Sequence, residues 1–140
     1  NMIYLKAMIK ETLLLPPPIP LLVPRESVKD ENLLGYHIAT VTQVIINSWT
    51  IGRDALPWEN PEEHRSERFL NSTIDVKGLN FEFIPFGAGR MGCSGTAFAV
   101  VINELALARL VHKFNYVLQE GLKLEDLDMT EGSGITIRKK

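Results

Sequence analysis

The sequence has very few of the residues that cross-link a chain or hold it in a membrane. Cys93 is the single cysteine among 140 residues, so no internal disulfide can form, and no group of His and Cys has the spacing of a zinc site. No uninterrupted apolar run reaches the ~18 residues of a membrane-spanning helix, and the first residues lack the basic and apolar regions of a signal peptide. We therefore expect a reduced thiol and a chain without a membrane segment.

The chain also lacks an excess of charge of either sign. Fifteen Lys and Arg against 17 Asp and Glu give a formal net charge of −2, and 45% of the residues are apolar. This composition is typical of a soluble protein with a core, and the length fits one domain. It argues against a disordered tail and against nucleic acid as a partner.

Hydrophobic periodicity and the positions of proline and glycine divide the chain into six segments. They are an amphipathic helix at 1–15, an extended region with a small sheet at 19–46, a meander at 47–79, an aromatic and glycine-rich loop at 80–95, a long helix at 96–112, and C-terminal strands at 113–140.

Residue preferences predict where the β-structure lies within these segments. Three prolines at 16–18 end the first helix and predict an extended stretch over Ile19–Pro24. Strands are expected at Tyr36–Ala39, at Val41–Ile46 and at Asn115–Leu118, with a hairpin near Gly132–Gly134.

The helix predicted at 96–112 is apolar on nearly all sides. A helix at the surface of a protein keeps a polar face. We therefore expect this helix to be buried inside a larger protein.

The glycine-rich loop allows a dinucleotide-binding interpretation. Gly87, Gly89 and Gly92 match G-x-G-x-x-G, between a strand-like run and a long helix. Against it, Pro85 would interrupt a central parallel strand, and Glu120, the first acidic residue beyond the next predicted strand, lies too far along the chain to bind a ribose.

The other interpretation starts from Cys93. A lone cysteine is usually a small buried apolar residue, but this one lies among four glycines and directly precedes a helix. Glycines let backbone amides approach a ligand, and the N-terminal end of a helix favours an anionic sulfur. Phe86 would supply an apolar face for a planar cofactor, and Arg90 a cation for its acidic groups.

The stretch Phe86–Gly95, FGAGRMGCSG, resembles the haem-binding loop of the cytochrome P450 family. Other family motifs have counterparts in the same order and at the same spacing: Lys10–Leu13 resembles the start of the ExxR helix, Pro24–Ser27 the segment after it, Gly52–Asp54 with Trp58 the meander, and Glu67–Phe69 the end of the PERF motif. The resemblance covers the whole chain and is closest to the plant microsomal branch. It implies the C-terminal part of that fold, which is α+β and mainly helical, with small sheets, a meander, the cysteine loop and a long buried helix.

The resemblance also implies roles for individual residues. Cys93 would be the axial ligand of the haem iron, Phe86 would pack against the haem, and Arg25 would meet a haem propionate. The loop positions Gly87, Gly89, Arg90 and Gly95 would belong to the cofactor-binding site. Glu11 and Arg68 would belong to a buried Glu–Arg–Arg network, and the substrate-pocket candidates are Leu21, Leu22, Val23 and Ser133.

Five positions depart from the family motifs, two of them being Pro17 and Ser94, where the family usually has histidine and proline. Leu14 stands where ExxR has arginine, Met91 where the loop has a propionate-binding arginine, and Ser66 where PERF has proline. Because residues three apart are neighbours on a helix, the change at Leu14 is expected to leave Glu11 without its nearest partner.

For function, the resemblance implies a monooxygenase that uses haem b, O2 and electrons from an NADPH-dependent reductase to oxidise a small hydrophobic substrate. It implies a location on the cytoplasmic face of the endoplasmic reticulum membrane. The helix that activates oxygen belongs to the N-terminal part of the family fold, which this chain lacks, so we expect the chain alone to be inactive. A degenerate fragment without activity is the alternative, besides the dinucleotide-binding half-domain.

Overall fold

A computed structural model gives the fold of the chain and describes residues 2–118, 121, 123, 128, 131, 132, 138 and 139. Its helices are α1 (Ile3–Leu14), α2 (Ser48–Ile51) and α3 (Thr96–Lys113), with two 3-10 turns at Ser66–Phe69 and Gly89–Met91. The strands are β1 (Arg25–Glu26), β2 (Glu31–Leu33), β3 (Tyr36–Ile38), β4 (Gln43–Val44), β5 (Glu131–Gly132) and β6 (Arg138–Lys139).

The strands form three separate two-stranded antiparallel sheets. β1 pairs with β4, β2 with β3, and β5 with β6. Within the described part of the chain there is no parallel pair, which a βαβ dinucleotide-binding unit requires. The α+β class is therefore confirmed, and the dinucleotide-binding interpretation loses its structural basis.

A small aromatic core connects α1 to the segment that precedes the glycine loop. Ala7 and Leu14 of α1 pack with Trp58, Phe69 and Phe83. The ring centroids of Trp58 and Phe69 are 5.6 Å apart, and those of Phe69 and Phe83 are 5.1 Å apart. Trp58 also donates a hydrogen bond from Nε1 to the carbonyl oxygen of Glu82 (3.3 Å). These contacts fix the segment that leads into the loop relative to the first helix.

Two predicted extended stretches are wrong. The stretch Ile19–Pro24 contains a turn closed by a hydrogen bond from the Leu22 amide to the Ile19 oxygen (3.1 Å), and Leu22 has a φ of +49°. Asn115–Leu118 is not in a strand, since α3 ends at Lys113 and the described residues offer it no strand to pair with. A strand exists only where a neighbour accepts its hydrogen bonds, and composition does not reveal that neighbour.

The strands around residue 40 are shorter than predicted, and others were missed. β3 ends at Ile38 and β4 covers only Gln43–Val44. β1 and β2 lie in the polar stretch 25–35, where no strand was predicted from the sequence. β2 could not be predicted from the sequence because both of its faces are exposed. Without a buried face, the strand has no alternation of apolar and polar residues.

α3 is exposed on most of its surface in this structure. None of its residues is buried, and its contact with another helix is with α1, where Lys6 Nζ lies 3.6 Å from Glu104 Oε2. The burial expected for this helix is therefore not provided by the described residues. None of the described helices is long and apolar enough to cross a membrane.

Candidate functional site

Two glycines with positive φ angles shape the loop that contains Cys93. Gly87 has a φ of +75° and Gly89 a φ of +63°, values that side chains disfavour. The Cys93 amide donates a hydrogen bond to the carbonyl oxygen of Phe86 (2.9 Å), and the Gly92 amide donates one to Gly89 (3.0 Å). The loop is thus closed on itself and holds Phe86 next to Cys93.

The first turn of α3 holds Cys93 in place from the other side. Thr96 donates two hydrogen bonds to the Cys93 carbonyl, from Oγ1 (2.8 Å) and from its amide (3.4 Å). A Cβ added to Gly95 would lie 3.6 Å from Cys93 Sγ, so the sulfur is beside the N-terminal end of the helix. The thiol itself is exposed. The arrangement presents a sulfur that a ligand can reach, where the helix dipole favours negative charge.

Cys93 and Phe86 border two open cavities. The larger, of about 570 Å³, has aliphatic walls and one cation, with Pro18, Ile19, Leu22, Val23, Arg25 and Met91 among its lining residues. The smaller, of about 490 Å³, lies towards α3 and is lined in part by Ala97, Val100 and Lys77. The larger cavity joins a thiol, an apolar wall and a guanidinium, which is the set of groups that a flat apolar metal cofactor with carboxylates needs.

The substrate-pocket candidates do not all reach this cavity. Leu22 is buried and lines it, and Val23 lines it as well although much of that residue is exposed. Leu21 is exposed and is not among the lining residues. Ser133 lies outside the described residues.

Arg25 stands between two cavities. Pairing of β1 with β4 sets Arg25 opposite Val44, and its Nη2 lies 3.7 Å from the position of a Cβ on Gly87. Arg25 lines the Cys93 cavity and also a third cavity, of about 470 Å³, where Arg90 lies. The two arginines expected to be near the cofactor are therefore brought to one region.

Glu11 and Arg68 form a buried ion pair that connects α1 to the meander. Glu11 is fully buried, and its Oε2 accepts a hydrogen bond from Arg68 Nε (2.9 Å). Its Oε1 accepts one from the backbone amide of Arg65 (2.7 Å). The other nitrogens of Arg68 donate to the carbonyl oxygens of Glu59 (2.7 Å), Asn60 (3.2 Å) and Glu63 (2.8 Å).

Leu14 removes the nearest expected partner of Glu11 on α1, but the carboxylate is not left unsatisfied. Both oxygens of the carboxylate accept hydrogen bonds, and no buried side-chain polar atom in the described part of the chain lacks a partner. Leu14 itself is only 2% exposed and belongs to the aromatic core. Its carbonyl oxygen would lie 2.7 Å from a Cβ on Gly52, so the helix packs closely on this glycine.

Two structural residues were missed by sequence analysis: Gly78, which lies against the loop, and Arg65, which binds Glu11. A Cβ on Gly78 would lie 2.7 Å from the carbonyl oxygen of Gly87, so only glycine fits where the meander meets the loop. An isolated glycine is a weak signal, and nothing in the sequence relates it to Gly87. Arg65 acts on Glu11 through its backbone amide, which no side-chain motif reveals.

Comparisons with known proteins give the same family for the whole chain. A family model described as Cytochrome P450 matches residues 1–140. Cytochrome P450 71A2 of Solanum melongena is 66% identical over all of this chain and 28% of its own length, and psoralen synthase of Ammi majus is 60% identical, again over all of this chain and 28% of its own length. A solved structure of a zebra fish cytochrome P450 with progesterone has a TM-score of 0.85 and 28% identity over 98% of this chain and 30% of that one. The chain thus spans a little over a quarter of the length of the relatives it matches.

Proposed function

The chain belongs to the cytochrome P450 family, and we propose that it is the part of a haem-thiolate monooxygenase that holds the haem iron. The observation that carries this proposal is the exposed Cys93 sulfur at the border of an apolar cavity, inside a loop closed by the Cys93–Phe86 hydrogen bond.

The groups around the cavity fit haem b, and each has a role there. Cys93 would ligate the iron, and Phe86 would pack against the ring and the sulfur. Gly87, Gly89 and Gly95 keep the backbone free of side chains where it must pass close to the cofactor. Arg25 and Arg90 would supply positive charge for the propionates.

When bound, a thiolate-ligated haem supplies the chemistry that activates O2 and inserts one oxygen atom into a C–H bond. The residues of this chain would bind the haem and orient it. The loop and the first turn of α3 hold Cys93 at the border of the cavity, and the aliphatic side chains of Leu22 and Val23 would keep water from one of its walls. Leu21 and Ser133 are further candidates for contact with the substrate.

The partners follow from the family. We propose a small hydrophobic substrate, an NADPH-dependent reductase as electron donor, and a location on the cytoplasmic face of the endoplasmic reticulum membrane. Relatives named psoralen synthase and (+)-menthofuran synthase carry the names of small organic products, which supports this substrate class. We also propose that these 140 residues alone hold haem without selective hydroxylation, because they correspond to about 28% of such a relative.

Haem titration followed by reduction and CO addition tests the proposal. A strongly red-shifted Soret band is expected for the chain, because only a thiolate ligand produces it. Cys93→Ala should lose this band, while the control His37→Ala, at an exposed position outside the loop, should retain it.

Three results would contradict the proposal. A band that survives in Cys93→Ala would mean that the ligand is wrongly assigned. Haem binding without the shifted band in the unaltered chain would favour the degenerate fragment. No change in NADH fluorescence is expected on addition of the chain, whereas binding would revive the dinucleotide alternative.

A further inference from the structure

Cys93 is the first residue of a tight turn that leads into α3. The amide of Thr96 donates back to the carbonyl oxygen of Cys93, and Gly95 has a φ of −84° and a ψ of 0°. These angles are typical of the third residue of a type I turn. Ser94 is the second residue of this turn, so Ser94 and Gly95 together set the direction of the Cys93 backbone relative to α3.

The turn itself has few restraints. Proline is favoured at the second position of a type I turn because its ring fixes φ, but Ser94 stands there, where the family usually has proline. The next residue is Gly95, and glycine has the widest conformational freedom. The backbone hydrogen bond that closes the turn is 3.4 Å long, more than an ordinary N–H···O bond. Cys93, Ser94 and Gly95 are all exposed, so packing does not fix the turn either.

The hydroxyl of Thr96 supplies the short contact in this turn. Its Oγ1 donates to the Cys93 carbonyl oxygen at 2.8 Å. A side chain that caps a helix accepts a hydrogen bond from one of the first amides, and α3 has no such cap at Gly95. The Thr96 hydroxyl instead donates to a residue outside the helix. Its main effect is therefore on Cys93 and not on α3.

The position of the sulfur depends on this contact. The Cys93 amide is bound to the carbonyl oxygen of Phe86 (2.9 Å), and the Cys93 carbonyl is bound by Thr96, so the backbone is held on both sides of the Cys93 Cα. The direction of the Cα–Cβ bond follows from that backbone. A Cβ on Gly95 would lie 3.6 Å from Cys93 Sγ, so a change in the turn would also change the space open to the sulfur.

We propose that Thr96 is a positioning residue for the Cys93 sulfur, and that its hydroxyl provides the restraint that a proline ring at position 94 would provide through φ. The effect on iron ligation rests on the proposed function, whereas the effect on the turn does not. The proposal predicts that the two restraints can replace each other. Proline is compatible with position 94, because the φ of Ser94 is not positive and its amide donates no hydrogen bond to the described residues.

The first experiment measures the Cys93 side chain in the haem-free chain by NMR. Cys93 is the single cysteine, so a 13C label at cysteine Cβ gives one signal, and its coupling constants report the χ1 rotamers. One dominant rotamer is expected in the unaltered chain and in Thr96→Ser, which keeps the hydroxyl. Thr96→Val keeps the shape without the hydroxyl and should average over several rotamers. The double variant with Ser94→Pro and Thr96→Val should recover the dominant rotamer.

The matched control is Thr12→Val. Thr12 Oγ1 donates to the carbonyl oxygen of Met8 at 2.9 Å, so this variant also removes a hydroxyl that is bound to a backbone carbonyl, but within α1. It should leave the Cys93 rotamer unchanged. Far-UV circular dichroism follows the helices, and a loss of helix in Thr96→Val would mean that the hydroxyl acts on α3, against the proposal.

The second experiment measures haem. Thr96→Val is expected to raise the dissociation constant of haem about fivefold, the size of one hydrogen bond, and to lower the fraction of the reduced CO complex that has the red-shifted Soret band. Adding Ser94→Pro should restore both values, and Thr12→Val should change neither.

Three results would overturn the proposal: one dominant Cys93 rotamer in Thr96→Val, no recovery of that rotamer when Ser94→Pro is added, or the same effect in Thr12→Val. A failure of the proposed function is seen separately, as a Soret band that does not shift in the unaltered chain. In that case the rotamers of the haem-free chain still decide whether Thr96 positions the sulfur.

Discussion

Arg68 Nε donates a 2.9 Å hydrogen bond to Glu11 Oε2, although the two residues are 57 positions apart in the sequence. Both side chains are almost completely removed from water. Removing one partner from a buried ion pair leaves an uncompensated charge, which typically costs about 3–5 kcal/mol.

Arg68→Ala is therefore expected to lower the free energy of unfolding by that amount, a large part of the ~5–15 kcal/mol of an ordinary domain. Denaturant unfolding followed by circular dichroism measures it. Arg109→Ala, at an exposed position, is the control and should cost little. A loss below about 1 kcal/mol, the range of exposed pairs, would show that water reaches Glu11.

Restoring the family arginine at position 14 should destabilise this chain. Leu14 fills the aromatic core, and Glu11 already has partners on both oxygens, so Leu14→Arg would bury a guanidinium without a free acceptor. We expect the thermal midpoint to fall, whereas the volume-conserving change Leu14→Met should cost less than about 1.5 kcal/mol. A midpoint that rises in Leu14→Arg would mean that Glu11 accepts the new arginine and the core adapts.

Val41 has a φ of +63°, a conformation that β-branched residues disfavour, although its amide donates a 2.8 Å hydrogen bond to Ser27. This strain costs about 1–2 kcal/mol, and the residue is 67% exposed, so little packing would be lost on its removal. Val41→Gly removes this strain but also gives the unfolded chain more conformational entropy, which opposes part of the gain. The expected net effect is a thermal midpoint that is a few degrees higher.

The matched control is Val28→Gly, at an exposed valine whose φ is not positive. It should lower the midpoint, since glycine only adds freedom to the unfolded chain there. Equal shifts in both variants would argue against strain at Val41.

The exposed apolar side chains of α3 should make the chain self-associate. Phe98, Ile102 and Leu105 lie along one face of the helix at a spacing of i, i+4 and i+7, and all three are exposed. The substitution of all three by Gln should lower the average mass in sedimentation. Leu56→Gln, at an exposed leucine in the meander, is the control. A monomeric chain that unfolds cooperatively without any substitution would contradict this prediction.

The hydrogen bond between Tyr4 and Glu67 should make the stability of the fold depend slightly on pH in the acid range. The pKa of Glu67 lies below its ordinary value, first because of a hydrogen bond from its own backbone amide and then because of the Tyr4 hydroxyl, which donates to Oε1 (3.1 Å). Since folding lowers this pKa, its contribution to stability is present above the pKa of an unfolded glutamate and is lost as the pH falls through the lowered value. Tyr4→Phe should raise the Glu67 pKa part of the way, as measured by NMR of the carboxyl carbon.

The same hydrogen bond raises the pKa of Tyr4, because Glu67 holds the phenolic proton. Glu67→Gln should therefore lower the pKa of Tyr4 in an absorbance titration. An unchanged phenol pKa would show that the hydroxyl does not donate to this carboxylate.

Features that depend on neighbouring residues in the chain could be predicted from the sequence. Three prolines follow the end of α1, the glycines allow the turns of the loop, and the position of Cys93 directly before a helix is a property of consecutive residues. The order and spacing of the motifs were enough to indicate the family. Apart from the family resemblance, which covers the whole chain, these signals act over a few residues, where backbone sterics and helical periodicity decide the outcome.

Contacts between residues far apart in the sequence could not be predicted in this way, because they depend on how the chain folds. The motif around Glu11 predicted a missing partner, but the Arg65 amide, 54 positions away, occupies the second oxygen and leaves Leu14 free to pack in the core. The approach of Arg25 to Gly87 and its sharing of a cavity with Arg90 likewise depend on the pairing of β1 with β4. Such contacts lie outside local patterns, because burial and hydrogen-bond satisfaction depend on which segments meet in space.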